Sequence, residues 1–479
     1  MEAALDALNN IIWSAPLVYL CLGVGLYFSV RTGFMQLRVP EMLRLMFRGK
    51  RSEAGVSSFQ ALAMSLSGRV GIGNIAGVAT AIAAGGPGAL FWMWVMAFLG
   101  ASTACIESTL AQIYKEKDDE GRYRGGPAYY IEKAMGQKWY AWIFAASTIV
   151  ATGLLLPGVQ ANGIATGMRN AWGVAPLVVA LPLAALLALI VFGGVKRIAR
   201  FAEIVVPFMA LGYLIVAIVI MVANADALPG MVALVFRSAF GAEAAFGGML
   251  GLAIQWGVKR GIYSNEAGQG TGPHAAAAAE VSHPAKQGYV QAFSVYVDTL
   301  LVCSATAFMI LSTGLYNVTG PDGALVVSQL PGVEPGPGFA QAAVETVLPG
   351  FGAGFVAVAL TFFAFTTIVA YYYMAETNVK YINRHASRPW MIPLLRVAIL
   401  GAVILGVVRS AGAAWTLGDI GVGVMAWLNI IAILIVQKPA LLALRDYQRQ
   451  RREGVEPVFD PDRLGIRNAE FWQRRLRGE

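Results

Sequence analysis

Gly68-Arg69-Val70-Gly71-Ile72-Gly73-Asn74-Ile75-Ala76-Gly77 interrupts an apolar segment long enough to cross a bilayer. A spanning helix must satisfy its backbone hydrogen bonds internally, because hydrocarbon offers no partners. Four glycines, an arginine and an asparagine at that depth are tolerable only where the backbone is buried in protein or lines a watery cavity. In carriers, a helix broken near the midplane marks where solute and coupling ion sit.

The rest of the chain agrees with a membrane setting. Of its 479 residues, 57% are hydrophobic and 13% charged, against about 25% charged in soluble domains. The 54 glycines suit helices that pack closely in lipid. The net charge of +8 does not indicate nucleic acid, because the basic residues fall in alternate loops and not on one face. Cys21, Cys105 and Cys303 lie in apolar runs and fit neither a disulfide framework nor a metal site. Met1-Glu2-Ala3 lacks a basic region, and the first apolar run leads into a basic loop, so no cleavable signal is expected.

A spanning helix needs about 20 mostly apolar residues. Eleven such segments are expected, near 13–30, 57–83, 88–113, 140–165, 176–195, 203–223, 240–268, 288–314, 343–375, 391–408 and 415–436. Basic residues crowd the loops after segments 1 (Arg31, Arg38, Arg44, Arg48, Lys50, Arg51) and 3 (Lys115, Lys117, Arg122, Arg124, Lys133, Lys138). They recur at Lys196, Arg197 and Arg200, at Lys259, Arg260 and Lys286 around the loop after segment 7, at Lys380, Arg384 and Arg388, and in the tail at Arg445, Arg449, Arg451 and Arg452. The longest opposite loop, 315–342, has no lysine or arginine. The positive-inside rule then puts the N-terminus outside and the tail in the cytoplasm of a cell-membrane protein.

Segment 7 resembles segment 2 in being apolar yet rich in glycine, from Gly247 to Gly261. Segment 2 starts inside and segment 7 outside, and each opens a set of five. The expectation is an all-α membrane protein of two inverted five-helix repeats, each with a broken helix. The units are 1–56 (first helix and basic loop), 57–223, 240–436 and a basic tail, 437–479.

Unwinding near Gly71 frees backbone N–H groups at the start of the outer half-helix, which suit a carboxylate. Carbonyls freed at the end of the inner half suit a cation, and Asn74 adds a side-chain oxygen. Gly71 to Ala76 also matches G-x-G-x-x-A, but no strand or βαβ unit surrounds it. Gly73 and Gly77 alternatively form a small-xxx-small packing pair. In segment 9, Thr366 and Thr367 offer two hard oxygens to a small cation, or simply bond back to their own helix. Gln160 and Asn162 in segment 4 serve equally as helix glue or solute contacts.

Arg69, Glu107, Asp298 and Asp419 are intramembrane ionisable residues, each a functional candidate by its cost in lipid. Mutual pairing is the expectation for Arg69, with Asp298 as first partner and Glu107 as second. Asp419 sits near the outer end of segment 11. Lys259 to Gly270 is glycine-rich but lacks the Gly-Lys-Ser/Thr ending of a phosphate loop, so a cytoplasmic turn is expected. His274, His283 and His385 lack metal-like companions.

Three runs carry a family resemblance: Ser67 to Ile82 with Gly85-Gly86-Pro87-Gly88, then Gly257 to Gly270, then Asp298 to Thr306. Together they resemble the alanine or glycine:cation symporter family, over nearly the whole chain. The resemblance implies a sodium-coupled carrier of small neutral amino acids with the leucine-transporter type of five-plus-five fold. It implies that Gly71, Gly73 and Asn74 line the substrate carboxylate and ion region, with Gln160, Asn162, Gln255 and Trp256 facing the substrate. It implies a sodium site from the Ser67, Val70 and Phe363 carbonyls and the Thr366 and Thr367 hydroxyls. Arg69 departs from a small residue in some relatives. Sodium is then the coupling ion, no cofactor is needed, and the partners are the amino acid, the ion and the bilayer, with no nucleic acid and no partner protein. A proton-coupled carrier is the alternative. A channel would need a continuous polar pore, and an enzyme would need clustered nucleophiles, acids or metal ligands.

Overall fold

Apolar stretches that must satisfy their own backbone become helices, and helices make up most of the described residues. The computed structural model describes residues 2–47, 52–192, 194–386 and 388–478. Met1 and the loop residues Arg48, Lys50 and Arg51 lie outside these. Among the described residues, eight helices are long and apolar enough to span a bilayer: Ala3–Arg31, Gly88–Ile113, Lys138–Trp172, Gly194–Ala223, Pro284–Thr313, Gly352–Asn383, Met391–Val408 and Ala411–Arg452. A bent pair, Ser58–Arg69 and Gly73–Gly85, makes a ninth span with a 54° bend. At the two other expected positions stand shorter helices, Pro176–Val191 and Leu250–Asn265, each of 16 residues. Leu181, Leu189, Phe208, Val222, Val397 and Leu405 are exposed on peripheral helices, the apolar rim that lipid would cover.

The basic loops meet on one face, as the charge pattern requires. Arg451 pairs with Glu41 at 3.1 Å, Lys380 with Asp118 at 3.1 Å, Arg475 with Glu280 at 2.6 Å, and Arg384 with Glu132. Burial opposes ionisation of Asp118, yet the Arg122 amide, Arg124 and Lys380 hold its carboxyl below the usual aspartate range. The opposite face carries 315–342, where Gln341 donates to the Gly167 carbonyl at 3.0 Å.

The tail is more than a charged extension. Ala411–Arg452 kinks at Val436, where φ is −100° and ψ 19°, three residues before Pro439, whose ring cannot continue an ideal helix. Beyond it the chain folds back under the bundle. The Trp472 indole is buried and donates to the Gln112 carbonyl at 2.8 Å. Trp472, Phe471 and Tyr123 surround the Lys115 ammonium at 5.4, 4.7 and 4.2 Å, a cation–π arrangement.

One expectation needs correction. The second helix break is not within Gly247–Gly261. Leu250–Asn265 is continuous, and its glycines serve close packing: a Cβ on Gly257 would meet Trp92 Cβ at 2.5 Å and the Ala89 carbonyl at 2.6 Å. The break follows at Glu266 to Thr271, before the short helix Gly272–Ala278. Glu266, Gly268 and Gly270 have φ of 57°, 83° and 87°, left-handed values that end a helix. The run expected to be a cytoplasmic turn is therefore buried within the bundle from Val258 to Gly270.

Candidate solute and ion site

The first break forms where Val70 leaves helical geometry, with ψ at 87°. The N–H groups this frees find side-chain partners. The Gly71 amide donates to Asn74 Oδ1 at 2.8 Å, and the Ile72 amide to Gln160 Oε1 at 2.9 Å. Asn74 Nδ2 donates to Asp298 Oδ1 at 2.6 Å, tying the break to Pro284–Thr313. Asp298 also accepts from Ser264 at 3.1 Å and Thr299 at 2.7 Å. Gly71 leaves no room for a side chain: a Cβ would lie 2.5 Å from Thr367 Oγ1 and 2.9 Å from Gln160 Oε1.

On the other side of Gly71, four oxygens converge. The Thr367 hydroxyl lies 2.9 Å from the Ser67 carbonyl, 3.4 Å from that of Val70 and 3.0 Å from that of Phe363. The carbonyls of Ser67 and Val70 come from the end of the first half-helix, where the helix leaves them free. Such a neutral, hard-oxygen cluster suits a small monovalent cation. Thr366 turns elsewhere: its hydroxyl reaches the Phe363 carbonyl at 2.9 Å and faces Met209 Sδ at 3.7 Å.

Other expected residues are not brought here. Asn162 donates to the carbonyls of Gly406 and Arg409 at 3.1 and 2.8 Å, so it holds the end of Met391–Val408. It also lines a cavity of about 580 Å³, with Ile72 and Trp415, that opens to the face carrying 332–338. Gln255 is half-buried and lies 3.4 Å from the Trp13 carbonyl. Trp256 stacks beside Lys259 and Arg260, at 5.1 Å from each. In their place, Tyr263 and Ser264, two turns along the same helix, pack against Gly73. Cys303 joins them, its sulfur 3.2 Å from Ser264 Oγ and 3.3 Å from Asn74 Nδ2; the sequence signal for Tyr263 and Ser264 is their place in the last turn before the Glu266 break, and for Cys303 only its place in the run Asp298 to Thr306.

Lys259 and Arg260, expected at the cytoplasmic face, are buried against Asp419, with Lys259 Nζ at 2.7 Å and Arg260 Nη1 at 2.8 Å. Arg260 stacks on Trp415 at 4.4 Å, so this charge cluster stands beside the cavity and above the break. Arg69 does not pair with Asp298. Its Nη1 donates to the Gln291 carbonyl at 3.0 Å and to the Ser294 hydroxyl. Asp298 is already engaged by Asn74, Ser264 and Thr299, whereas Glu107 is held by Asn429 at 2.7 Å and the Gly268 amide at 3.2 Å.

A multi-helix membrane bundle with one helix broken at a buried cluster of carbonyls, hydroxyls and amides belongs to the class of membrane transporters. More narrowly, the chain belongs to the sodium:alanine symporter family, whose model matches residues 1–461. YrbD of Bacillus subtilis (strain 168), named for sodium/proton-dependent alanine carriage, is 61% identical over 99% of this chain and 98% of its own. The sodium/proton-dependent alanine carrier protein of Bacillus sp. (strain PS3) is 54% identical over 90% of this chain and 97% of its own. GlnT of Bacillus subtilis (strain 168), named for sodium/glutamine symport, is 41% identical over 98% and 96%. Among solved structures, the Eremococcus coleocola manganese transporter in complex with an aromatic bis-isothiourea compound aligns with a TM-score of 0.48 and 14% identity, over 88% of this chain and 94% of that one.

Proposed function

We propose that this protein is a sodium-coupled symporter that brings a small neutral amino acid, alanine before glycine, into the cell by alternating access. The observation that carries this is the meeting of the Ser67, Val70 and Phe363 carbonyls at the Thr367 hydroxyl, one residue from the amides of Gly71 and Ile72. Sodium among those oxygens ties the half-helix Ser58–Arg69 to Gly352–Asn383. The substrate carboxylate replaces the amide oxygens of Asn74 and Gln160 at the Gly71 and Ile72 N–H groups, as anions favour helix starts. Gln160, once released, accepts from the substrate ammonium. Ile72 and Tyr263 limit the side chain to a methyl or little more.

Each ligand favours closure because each binds the closed state better. The two sets of five helices, opening with Ser58–Gly85 and Leu250–Ala278, act as inverted repeats of the leucine-transporter type. The basic face is cytoplasmic. No covalent step is involved. Proton coupling is the second reading, favoured by the buried carboxylates around Arg69. The names of the relatives support alanine with either cation, and GlnT warns that side-chain selectivity varies within the family.

The test is alanine binding by purified protein at alkaline pH, in sodium and with sodium replaced by choline, with glycine, serine, D-alanine and glutamine as competitors. Alanine affinity is expected to fall at least about tenfold in choline, roughly 1.4 kcal/mol. Equal affinities in the two salts would overturn the sodium assignment.

A further inference from the structure

The cluster around Arg69 contains more acid than base. Glu266, Glu107 and Asp298 all lie within its electrostatic reach, and all four residues are buried. Fully ionised, they would leave two uncompensated negative charges at membrane depth, which low-dielectric surroundings disfavour strongly. Two of the carboxylates have the donors an anion needs. Glu107 accepts from Asn429 and the Gly268 amide, and Asp298 from Asn74, Ser264 and Thr299. Glu266 differs, because neither of its carboxylate oxygens has a well-formed hydrogen bond to protein, although the Thr271 hydroxyl is close by.

The position of Glu266 adds a second reason. It begins the second break, and its Oε2 lies 3.3 Å from where a Cβ on Gly68 would stand. Gly68 is in the last turn of Ser58–Arg69, the carbonyl-rich, negative end of that helix. An anion is disfavoured there, and a neutral carboxyl is not. Around it, Ser65 Oγ, Arg69 Nε and Nη2, both amide atoms of Gln269 and Thr271 Oγ1 are likewise buried without a well-formed protein partner. Buried polar atoms in such number ordinarily hold water. The charged and titratable groups facing Glu266 are Arg69 from the first half-helix, Glu107 and Asp298 from two spans, Tyr371 from Gly352–Asn383 and Tyr263 from its own helix.

We infer that Glu266 is a proton-binding position that couples the two helix breaks, neutral when the half-helix Ser58–Arg69 is closed against it and ionised when that half-helix moves away. The proton is taken up from the outer side before closure and passes to water lining the opened route, and that water hydrates the carboxylate left behind. Each cycle can thereby carry a proton inward with the solute. The inference rests on the carrier reading above but not on the sodium ligands.

The test uses the full chain in proteoliposomes. Alanine accumulation is driven either by an inside-alkaline pH gradient in choline or by a sodium gradient at symmetrical pH. In Glu266→Gln, proton-driven accumulation is expected to fall at least about tenfold, and sodium-driven accumulation to lose its pH dependence. Proton-driven accumulation within about twofold of the parent would overturn the inference. So would a parent protein that accumulates alanine with sodium but shows no proton-driven component. Absence of sodium-driven uptake in the parent would instead sink the sodium reading. If Glu266→Gln fails to fold, infrared difference spectra of the parent between acid and alkaline pH decide. A buried carboxylic-acid carbonyl band that disappears on alkalinisation, and shifts in Glu266→Asp, supports the inference; a band unchanged in Glu266→Asp, or none, overturns it.

Discussion

Gly73→Leu will abolish sodium-dependent alanine binding while leaving membrane insertion intact. A Cβ at Gly73 would already lie 3.2 Å from Tyr263 Cδ1 and 3.3 Å from Ser264 Cα. The three further carbons of leucine must displace the helix Leu250–Asn265 or the break itself. Overpacking alone costs about 1–3 kcal/mol. Here the strain falls on Ser264, which donates to Asp298, the acceptor of the Asn74 amide that holds the Gly71 N–H, and a loss of about 3 kcal/mol in binding is roughly a hundredfold. Insertion depends on a long apolar segment, which the substitution keeps at the same length and makes more apolar. Titration of alanine into purified protein checks this, and affinity near that of the parent would remove Gly73 from the site.

Asp419→Asn is expected to have the largest effect on stability. The carboxylate takes Lys259 at 2.7 Å and Arg260 through both oxygens at 2.8 and 3.1 Å, with the side chain about 3% exposed. Removing its charge leaves two buried cations without a counter-ion, and breaking one buried pair typically costs about 3–5 kcal/mol. Thermal unfolding in detergent should show a large drop in melting temperature, partly restored by Lys259→Met in the same chain. An unchanged melting temperature would mean that water already screens the cluster. Because Arg260 lies over Trp415, which lines the cavity, the same substitution is also expected to speed exchange between that cavity and the break.

The first break was legible because its signal is local. Glycines and polar residues at mid-segment contradict a lipid-facing helix whatever the rest of the chain does. The second lies beyond its expected place in Gly247–Gly261, at Glu266 to Thr271, since glycine has two uses in membranes. At Gly257 and Gly261 it admits a neighbouring helix, against Trp92 and Met96, whereas at Gly268 and Gly270 it supplies left-handed backbone. The sequence spacing of these residues does not separate the two uses. Lys259 and Arg260 misled in the same way, as basic residues mark loops until a buried acid elsewhere in the chain claims them. That acid, Asp419, is 159 residues away from Arg260.

The partner of Arg69 was out of reach for a related reason. Charge suggested Asp298, but the geometry supplied a carbonyl and a hydroxyl from Gln291 and Ser294. Thr366 and Thr367 are adjacent and chemically identical, so only the helix rotation distinguishes them. It turns Thr367 toward Ser67 and Val70 and leaves Thr366 against Met209.

The sodium dependence of alanine binding in Thr367→Ala tests the account most directly. The substitution removes one oxygen from the cluster and leaves Gly71, Asn74 and Gln160 in place. Half-saturating sodium should rise at least about tenfold, with alanine affinity recovering to within about twofold of the parent when sodium is saturating. A sodium dependence identical to that of the parent protein would contradict the placement of the coupling ion at the first break.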